Sequence, residues 1–240
     1  MIVRERASPN QDARPEHGRI DMLVLHYTGM RTAGEAIDRL CDPEAKVSAH
    51  YVIEEDGTVW RLVEESRRAW HAGVSFWQGT GDVNAASIGI ELVNPGHEWG
   101  YGEFPGAQMV SLETLCGALL QRHPIPADRV VGHSDVAPRR KQDPGELFDW
   151  PRLARSGIGL WPIDPAPPAT SVAEAQAMLF AIGYGVPSAG VLDDETRDVI
   201  IAFQRRFRPR RIDGDLDAET SARLAAVERA VSALRSRRRS

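Results

Sequence analysis

Ile20-Asp21-Met22-Leu23-Val24-Leu25-His26-Tyr27-Thr28-Gly29 reads as a buried strand with a histidine where the strand opens into a loop. Loops at strand ends are where reactive side chains are commonly mounted. The arrangement recurs downstream, where Arg129-Val130-Val131-Gly132 leads into His133-Ser134-Asp135, and Lys141-Gln142-Asp143-Pro144 follows. Gly132 permits close approach of the backbone, and Pro138 and Pro144 restrict the loop that carries Asp143. A lone histidine beside an apolar strand is more often structural than functional, so the weight lies in the combination. A mononuclear catalytic zinc needs three protein ligands and an open position for water, and its ligands often come from distant segments. His26, His133 and Asp143 meet that requirement and suggest a zinc hydrolase.

Working outward, strand-like and helix-like segments alternate. Strands are expected at Ile20–Tyr27, Ala49–Glu54, Thr58–Val63, Ser87–Val93 and Arg129–Gly132, with a hairpin around Asp56-Gly57. Helices are expected at Ala33–Leu40 and Met109–Arg122, the latter with apolar Leu112, Leu115, Cys116 and Leu119 at helical spacing. The fold class is α/β, a mixed central β-sheet flanked by helices. Trp161 to Thr170 is proline-rich and reads as a stiff linker. The expected division is a first, larger domain at 1–160, a linker at 161–170 and a small three-helix domain at 171–240. In that last part Gly190-Val191-Leu192-Asp193-Asp194-Glu195-Thr196 is echoed by Gly214-Asp215-Leu216-Asp217-Ala218-Glu219-Thr220, each a glycine turn followed by a helix start. Ser171 with Glu174 adds a capping box, giving helices at about Val172–Ile182, Asp194–Phe207 and Ala218–Leu234.

Composition narrows the function. With 42% apolar and 26% charged residues in 240, the chain is long enough for one good core and a second small one. A net charge of -5 argues against nucleic acid as the main partner. The basic end, Arg235 to Arg239, is expected to be a solvated, frayed tail. Cys41 and Cys116 read as small buried hydrophobes rather than a disulfide. The opening residues are too polar for a signal peptide, and no apolar run approaches the roughly 18 residues of a membrane span. A cytoplasmic location is expected, with the periplasm as the alternative.

Glu91 is a carboxylate inside Ser87-Ile88-Gly89-Ile90-Glu91-Leu92-Val93-Asn94. Alternation places Ile88, Ile90 and Leu92 on one face and Gly89, Glu91 and Val93 on the other. Apolar company would raise its pKa and suit a general base, whereas an outward position on an edge strand would make it an ordinary surface residue. Lys141 is either a solvated loop lysine or a cation placed to hold an oxyanion beside the metal.

His26-Tyr27-Thr28, Ser48-Ala49-His50-Tyr51-Val52-Ile53, Ala69-Trp70-His71-Ala72-Gly73, Ser87 to Asn94 and Gly132-His133-Ser134-Asp135 through Gly145 resemble the type 2 N-acetylmuramoyl-L-alanine amidases, the AmpD and AmiD group. The resemblance covers about Ile20 to Trp161. It implies Zn2+ on His26, His133 and Asp143, Glu91 as acid/base, Lys141 as transition-state stabiliser, and substrate contacts at His50, Tyr51, Trp70, His71 and Asn94. Some relatives have cysteine as third ligand, and this chain has Asp143. The second part, with Ala202-Phe203-Gln204, resembles a three-helix peptidoglycan-binding domain; a docking module that stabilises the first domain is the alternative. The implied partners are anhydromuropeptides or peptidoglycan, and the implied role is cell-wall recycling. A periplasmic wall-cleaving amidase, a non-catalytic peptidoglycan binder and a zinc hydrolase of another stem bond stand as rival readings.

Overall fold

A computed structural model describes residues 3–16, 18–162, 168–169 and 171–239. The sheet strands and their companions are β1 (Val3–Glu5), β2 (Gln11–Ala13), β3 (Met22–Tyr27), β4 (Tyr51–Ile53), β5 (Val59–Arg61), β6 (Arg67–Ala69), β7 (Ser87–Leu92) and β8 (Val130–Gly132). The helices are α1 (Ala33–Cys41), α2 (Val83–Ala86), α3 (Gly96–Trp99), α4 (Gly106–Arg122), α5 (His133–Val136), α6 (Trp150–Arg155), α7 (Val172–Ile182), α8 (Asp194–Phe207) and α9 (Ala218–Arg239). The main sheet runs β1-β5-β4-β7-β3-β8, and β2 pairs with β6 apart from it. Only the β4–β5 hairpin is antiparallel within it, so this is a mixed sheet.

Alternation decides what each face of the sheet buries. Leu23, Leu25, Ile88, Ile90 and Leu92 pack beneath α4 against Leu112, Leu115, Cys116 and Leu119. The opposite face is covered in two separate places. Val52 and Val93 meet Ile37 and Leu40 of α1, while Met22, Val24 and Val131 meet Leu179, Tyr184, Phe203 and Phe207 of the C-terminal part. Between these coverings lie His26 and Glu91, register partners on adjacent parallel strands.

The echoed segments of the C-terminal part are explained by two buried glutamines. Gln176 Oε1 accepts from the Gly190 N–H and its Nε2 donates to Thr196 Oγ1; Gln204 Oε1 accepts from the Gly214 N–H and its Nε2 donates to Thr220 Oγ1. Asp193 and Asp217 cap α8 and α9 by accepting from the Thr196 and Thr220 N–H groups. Ser171 likewise accepts from the Glu174 N–H at the start of α7.

Several expectations are corrected. α9 runs on to Arg239 instead of fraying near Leu234. Arg235 and Arg238 pair with buried Asp128, and Arg235 also donates to the Ala181 and Ile182 carbonyls at the end of α7. The basic end is held because it pairs with a buried carboxylate and donates to helix-end carbonyls. Cys41 is only partly buried at the end of α1, whereas Cys116 is enclosed. The polar opening residues supply β1 and β2, and Arg14 donates to the carbonyls of Glu65, Asn84, Ala85 and Ser87. Of the linker expected at 161–170, residues 163–167 and 170 lie outside the described residues. Among the described residues no helix is long and apolar enough to cross a membrane.

Glu65 ties the α4 end to the sheet, accepting from the Tyr51 hydroxyl, Arg122 and His123. Burial tends to raise its pKa, but these donors outweigh it and bring Glu65 down to about 2. A carboxylate depressed in this way stabilises the fold above its unfolded pKa, and the contribution is lost as pH falls through about 2. Glu65→Gln is therefore expected to melt below wild type at pH 6, with the gap closing as the pH is taken down from 4.5. A gap that does not change with pH would discount this role.

Candidate metal centre and cleft

The carboxyl-terminal ends of β3, β7 and β8 converge on one point, the usual ligand position of open α/β sheets. β3 ends in His26, the residue after β8 is His133, and the Ser134 N–H donates to the Asp143 carbonyl at 2.9 Å, tying the two downstream arms together. His26 Nδ1 lies 2.9 Å from His133 Nδ1 and 3.0 Å from Asp143 Oδ2, and His133 Nδ1 lies 3.0 Å from the same oxygen. All three residues are buried.

The surrounding hydrogen bonds determine which ring nitrogens carry protons. His133 Nε2 faces the Ala72 carbonyl at 3.1 Å and must donate to it, which leaves Nδ1 with a lone pair. On the other side, the Ser87 hydroxyl donates to the Val83 carbonyl, so it accepts from His71 Nε2. His71 Nδ1 must then accept from His26 Nε2 at 3.1 Å, and His26 Nδ1 is also left with a lone pair. Burial first, and the neighbouring His133 next, push His26 down to about 4, keeping its ring neutral. Burial acts to raise Asp143, but His133 and His26 outweigh it and hold the carboxylate ionised. Two lone pairs and an anion therefore face one another without a proton between them. This arrangement could hold a cation, and its N,N,O donors suit zinc.

Glu91 stands beside this site through its register with His26. Its Oε2 is sealed from solvent and has no hydrogen-bond partner among the described residues. Burial first, and the Asp143 charge second, raise its pKa well above the ordinary carboxylate value, against the opposing pull of Lys141. These groups open into a cleft of about 620 Å³, whose wall includes Glu91, His133, Lys141, Asp143, Trp70 and His71.

The remaining expected contacts are placed differently. His50 is fully buried behind His71: its Nδ1 accepts from the Gly89 N–H, and its Nε2 faces the Arg67 carbonyl at 3.1 Å. Tyr51 is on the α4 side, donating to Glu65. Asn94 is buried and braces the loop after β7, donating to the Gly102 carbonyl and accepting from the Gly96 N–H. These three lie behind the cleft wall, because the polar atoms that would reach a ligand are already paired. His71 is at the wall but spends its ring on His26. Sequence reasoning missed Ser87, whose hydroxyl sets the tautomer chain, and the cleft residues Arg39, His97 and Arg140. His97 accepts from the Tyr27 hydroxyl at 2.9 Å and donates to Glu146, which fixes one lip.

At Gly89 the His71 ring occupies the space a side chain would take. A Cβ there would sit 2.4 Å from His71 Cγ. Gly89→Ala is expected to cost about 1–3 kcal/mol by overpacking, and to weaken metal binding by displacing His71. Denaturant melts and zinc titration check both effects, and wild-type values in each would refute the argument.

Comparison with known proteins identifies the family. The model described as N-acetylmuramoyl-L-alanine amidase matches residues 16–146, and one for a peptidoglycan binding domain matches residues 168–224. The chain is 37% identical over 233 residues to N-acetylmuramoyl-L-alanine amidase AmiD of Escherichia coli strain K12, covering 88% of this chain and 83% of that protein. It is 37% identical over 171 residues to 1,6-anhydro-N-acetylmuramyl-L-alanine amidase AmpD of Haemophilus influenzae, covering 64% of this chain and 91% of that protein. The structure of AmiD from E. coli, in complex with the substrate anhydro-N-acetylmuramic acid-L-Ala-D-gamma-Glu-L-Lys, matches with a TM-score of 0.79 at 36% identity over 91% of this chain and 92% of its own. AmpDh3 from Pseudomonas aeruginosa matches with a TM-score of 0.80 at 34% identity, over 90% and 94%. With this sheet, this donor set and these relatives, the chain belongs to the N-acetylmuramoyl-L-alanine amidase family.

Proposed function

We propose that the chain uses zinc to hydrolyse the amide joining the lactyl group of N-acetylmuramic acid, including its anhydro form, to L-alanine of the stem peptide, and that it serves cell-wall recycling. The observation that carries this reading is the meeting of two imidazole lone pairs and a carboxylate beside a carboxyl with an unpartnered oxygen. His26, His133 and Asp143 would hold zinc, which when bound supplies a Lewis acid that polarises the carbonyl and makes water more acidic. Glu91, with its raised pKa, takes the proton of the attacking water and hands it to the leaving amine. Water oxygen joins the carbonyl carbon, the C–N bond breaks, and the products are a lactyl carboxylate and a peptide with a free L-alanine amine. Lys141, at the cleft beside Asp143, holds the oxyanion. Trp70 lines the cleft where the stem peptide or sugar would lie.

The anhydro substrate is favoured because the similar AmiD structure holds such a molecule. We assign residues 1–160 to the amidase domain, 161–170 to the linker and 171–240 to a peptidoglycan-binding domain, and place the protein in the cytoplasm. Mass spectrometry of products from an anhydromuramyl tetrapeptide and from intact sacculi, with and without a chelator, tests the reading. Chelator-sensitive release of tetrapeptide from the soluble substrate alone supports recycling; release from sacculi would turn the role toward wall cleavage; no release from either sinks the amidase assignment. Fractionation of cells carrying a tagged copy tests the location.

A further inference from the structure

Two side chains of the C-terminal part end inside the amidase domain, directly behind His133. Asp135 of α5 is buried, and its carboxylate takes three donors. Its Oδ2 accepts from the Gly132 N–H at 2.8 Å and from Arg206 Nη1 at 2.8 Å, and its Oδ1 accepts from the Tyr184 hydroxyl at 2.6 Å. Arg206 Nη2 also donates to the Val130 carbonyl at 3.1 Å, and the guanidinium lies 4.0 Å over the Trp150 ring. Arg206 therefore grips β8 at both ends, at Val130 directly and at Gly132 through Asp135. The next residue is His133. On the far side of the same turn Gly132 lies against Pro144, so close that a Cβ would be 2.7 Å from its Cδ.

This pair is almost wholly buried, with side chains 5% and 1% exposed. A buried ion pair contributes little net stability, because desolvation offsets the attraction, but it can fix geometry through its directed hydrogen bonds: both Asp135 oxygens and both Arg206 Nη atoms are bonded, while Arg206 Nε has no partner among the described residues. Here the fixed geometry is that of the backbone carrying a metal ligand.

We propose that Arg206 and Tyr184 are positioning residues for the metal centre: through Asp135, the C-terminal domain sets the Gly132–His133 backbone and so aims His133 Nδ1 at His26 and Asp143. The domain is then part of the frame of the catalytic centre, whatever it binds outside. The inference rests on the zinc reading above.

The test uses the full chain as Tyr184→Phe, Arg206→Lys and Arg206→Met. Zinc affinity is measured by competition with a chromophoric chelator, cobalt(II) is substituted to record its visible bands, and kcat and KM are separated. Tyr184→Phe and Arg206→Met should bind zinc roughly tenfold or more weakly, the range seen when outer supports of a metal ligand are removed. Their cobalt bands should shift and kcat should fall more than KM rises, since neither Tyr184 nor Arg206 lines the cleft; Arg206→Lys should recover part of the loss. Variants that melt lower but keep wild-type zinc affinity and cobalt bands would overturn the proposal. Where Arg206→Met does not fold, Tyr184→Phe and Arg206→Lys decide, because both leave the Asp135 charge paired. A wild type that binds no zinc defeats the zinc reading itself and this inference with it, a result distinct from a zinc-binding wild type with unaltered variants.

Discussion

Asp143→Ala is expected to leave a folded protein that has lost its metal and its amide hydrolysis. Asp143 Oδ2 is the only anionic donor of the triad and lies 3.0 Å from both imidazole nitrogens. Removing an outer support of a metal ligand already costs roughly 10–100-fold in affinity, so losing a ligand itself should exceed that range. Folding should survive, because each imidazole keeps its Nε2 hydrogen bond, His26 to His71 and His133 to the Ala72 carbonyl. Zinc content after dialysis, circular dichroism and turnover check the three parts. A folded Asp143→Ala protein with wild-type zinc and turnover would remove Asp143 from the site.

Glu91→Gln should separate the metal from the proton transfer. The carboxamide keeps the shape of the side chain but cannot take a proton, so kcat/KM should drop about 10²–10⁴-fold, the typical worth of a general acid/base, with zinc content unchanged. Stability should move the other way. A carboxyl whose folded pKa is raised contributes stability below its unfolded pKa and loses it as pH rises through the folded value. At neutral pH the metal-free wild type bears that loss and the glutamine variant does not, so chelator-treated Glu91→Gln should melt at or above wild type. Full turnover by a folded, zinc-loaded variant would reject Glu91 as the acid/base.

Much of this was legible in the sequence because alternation in a strand is a strong signal. Ile88, Ile90 and Leu92 against Gly89, Glu91 and Val93 divided as the period of two requires, and the C-terminal helices announced themselves through Asp193, Asp217 and Ser171 at their caps. The three residues that meet at the candidate site could be picked out because both histidines follow apolar strands and the aspartate precedes a proline. What stayed hidden depends on long-range pairing. Ser87 looks like an ordinary strand residue until its hydroxyl is seen between His71 and the Val83 carbonyl. His50 and Asn94 sit in motif-like segments, but their partners, Gly89 and Arg67 for one and Gly96 and Gly102 for the other, are set by the fold. Short strands such as Val3–Glu5 carry too few residues for a period to register.

The core that joins Met22, Val24 and Val131 to Leu179, Tyr184, Phe203 and Phe207 bears on how such a chain can change over generations. A proline-rich joint invites exchange of one half as a cassette, yet recombination there would part residues that fill a single interior. A foreign partner would arrive with side chains of other volumes against Met22 and Val24, and without the arginine that meets Asp135. A successful graft would therefore have to carry the buried face of the C-terminal helices along with it.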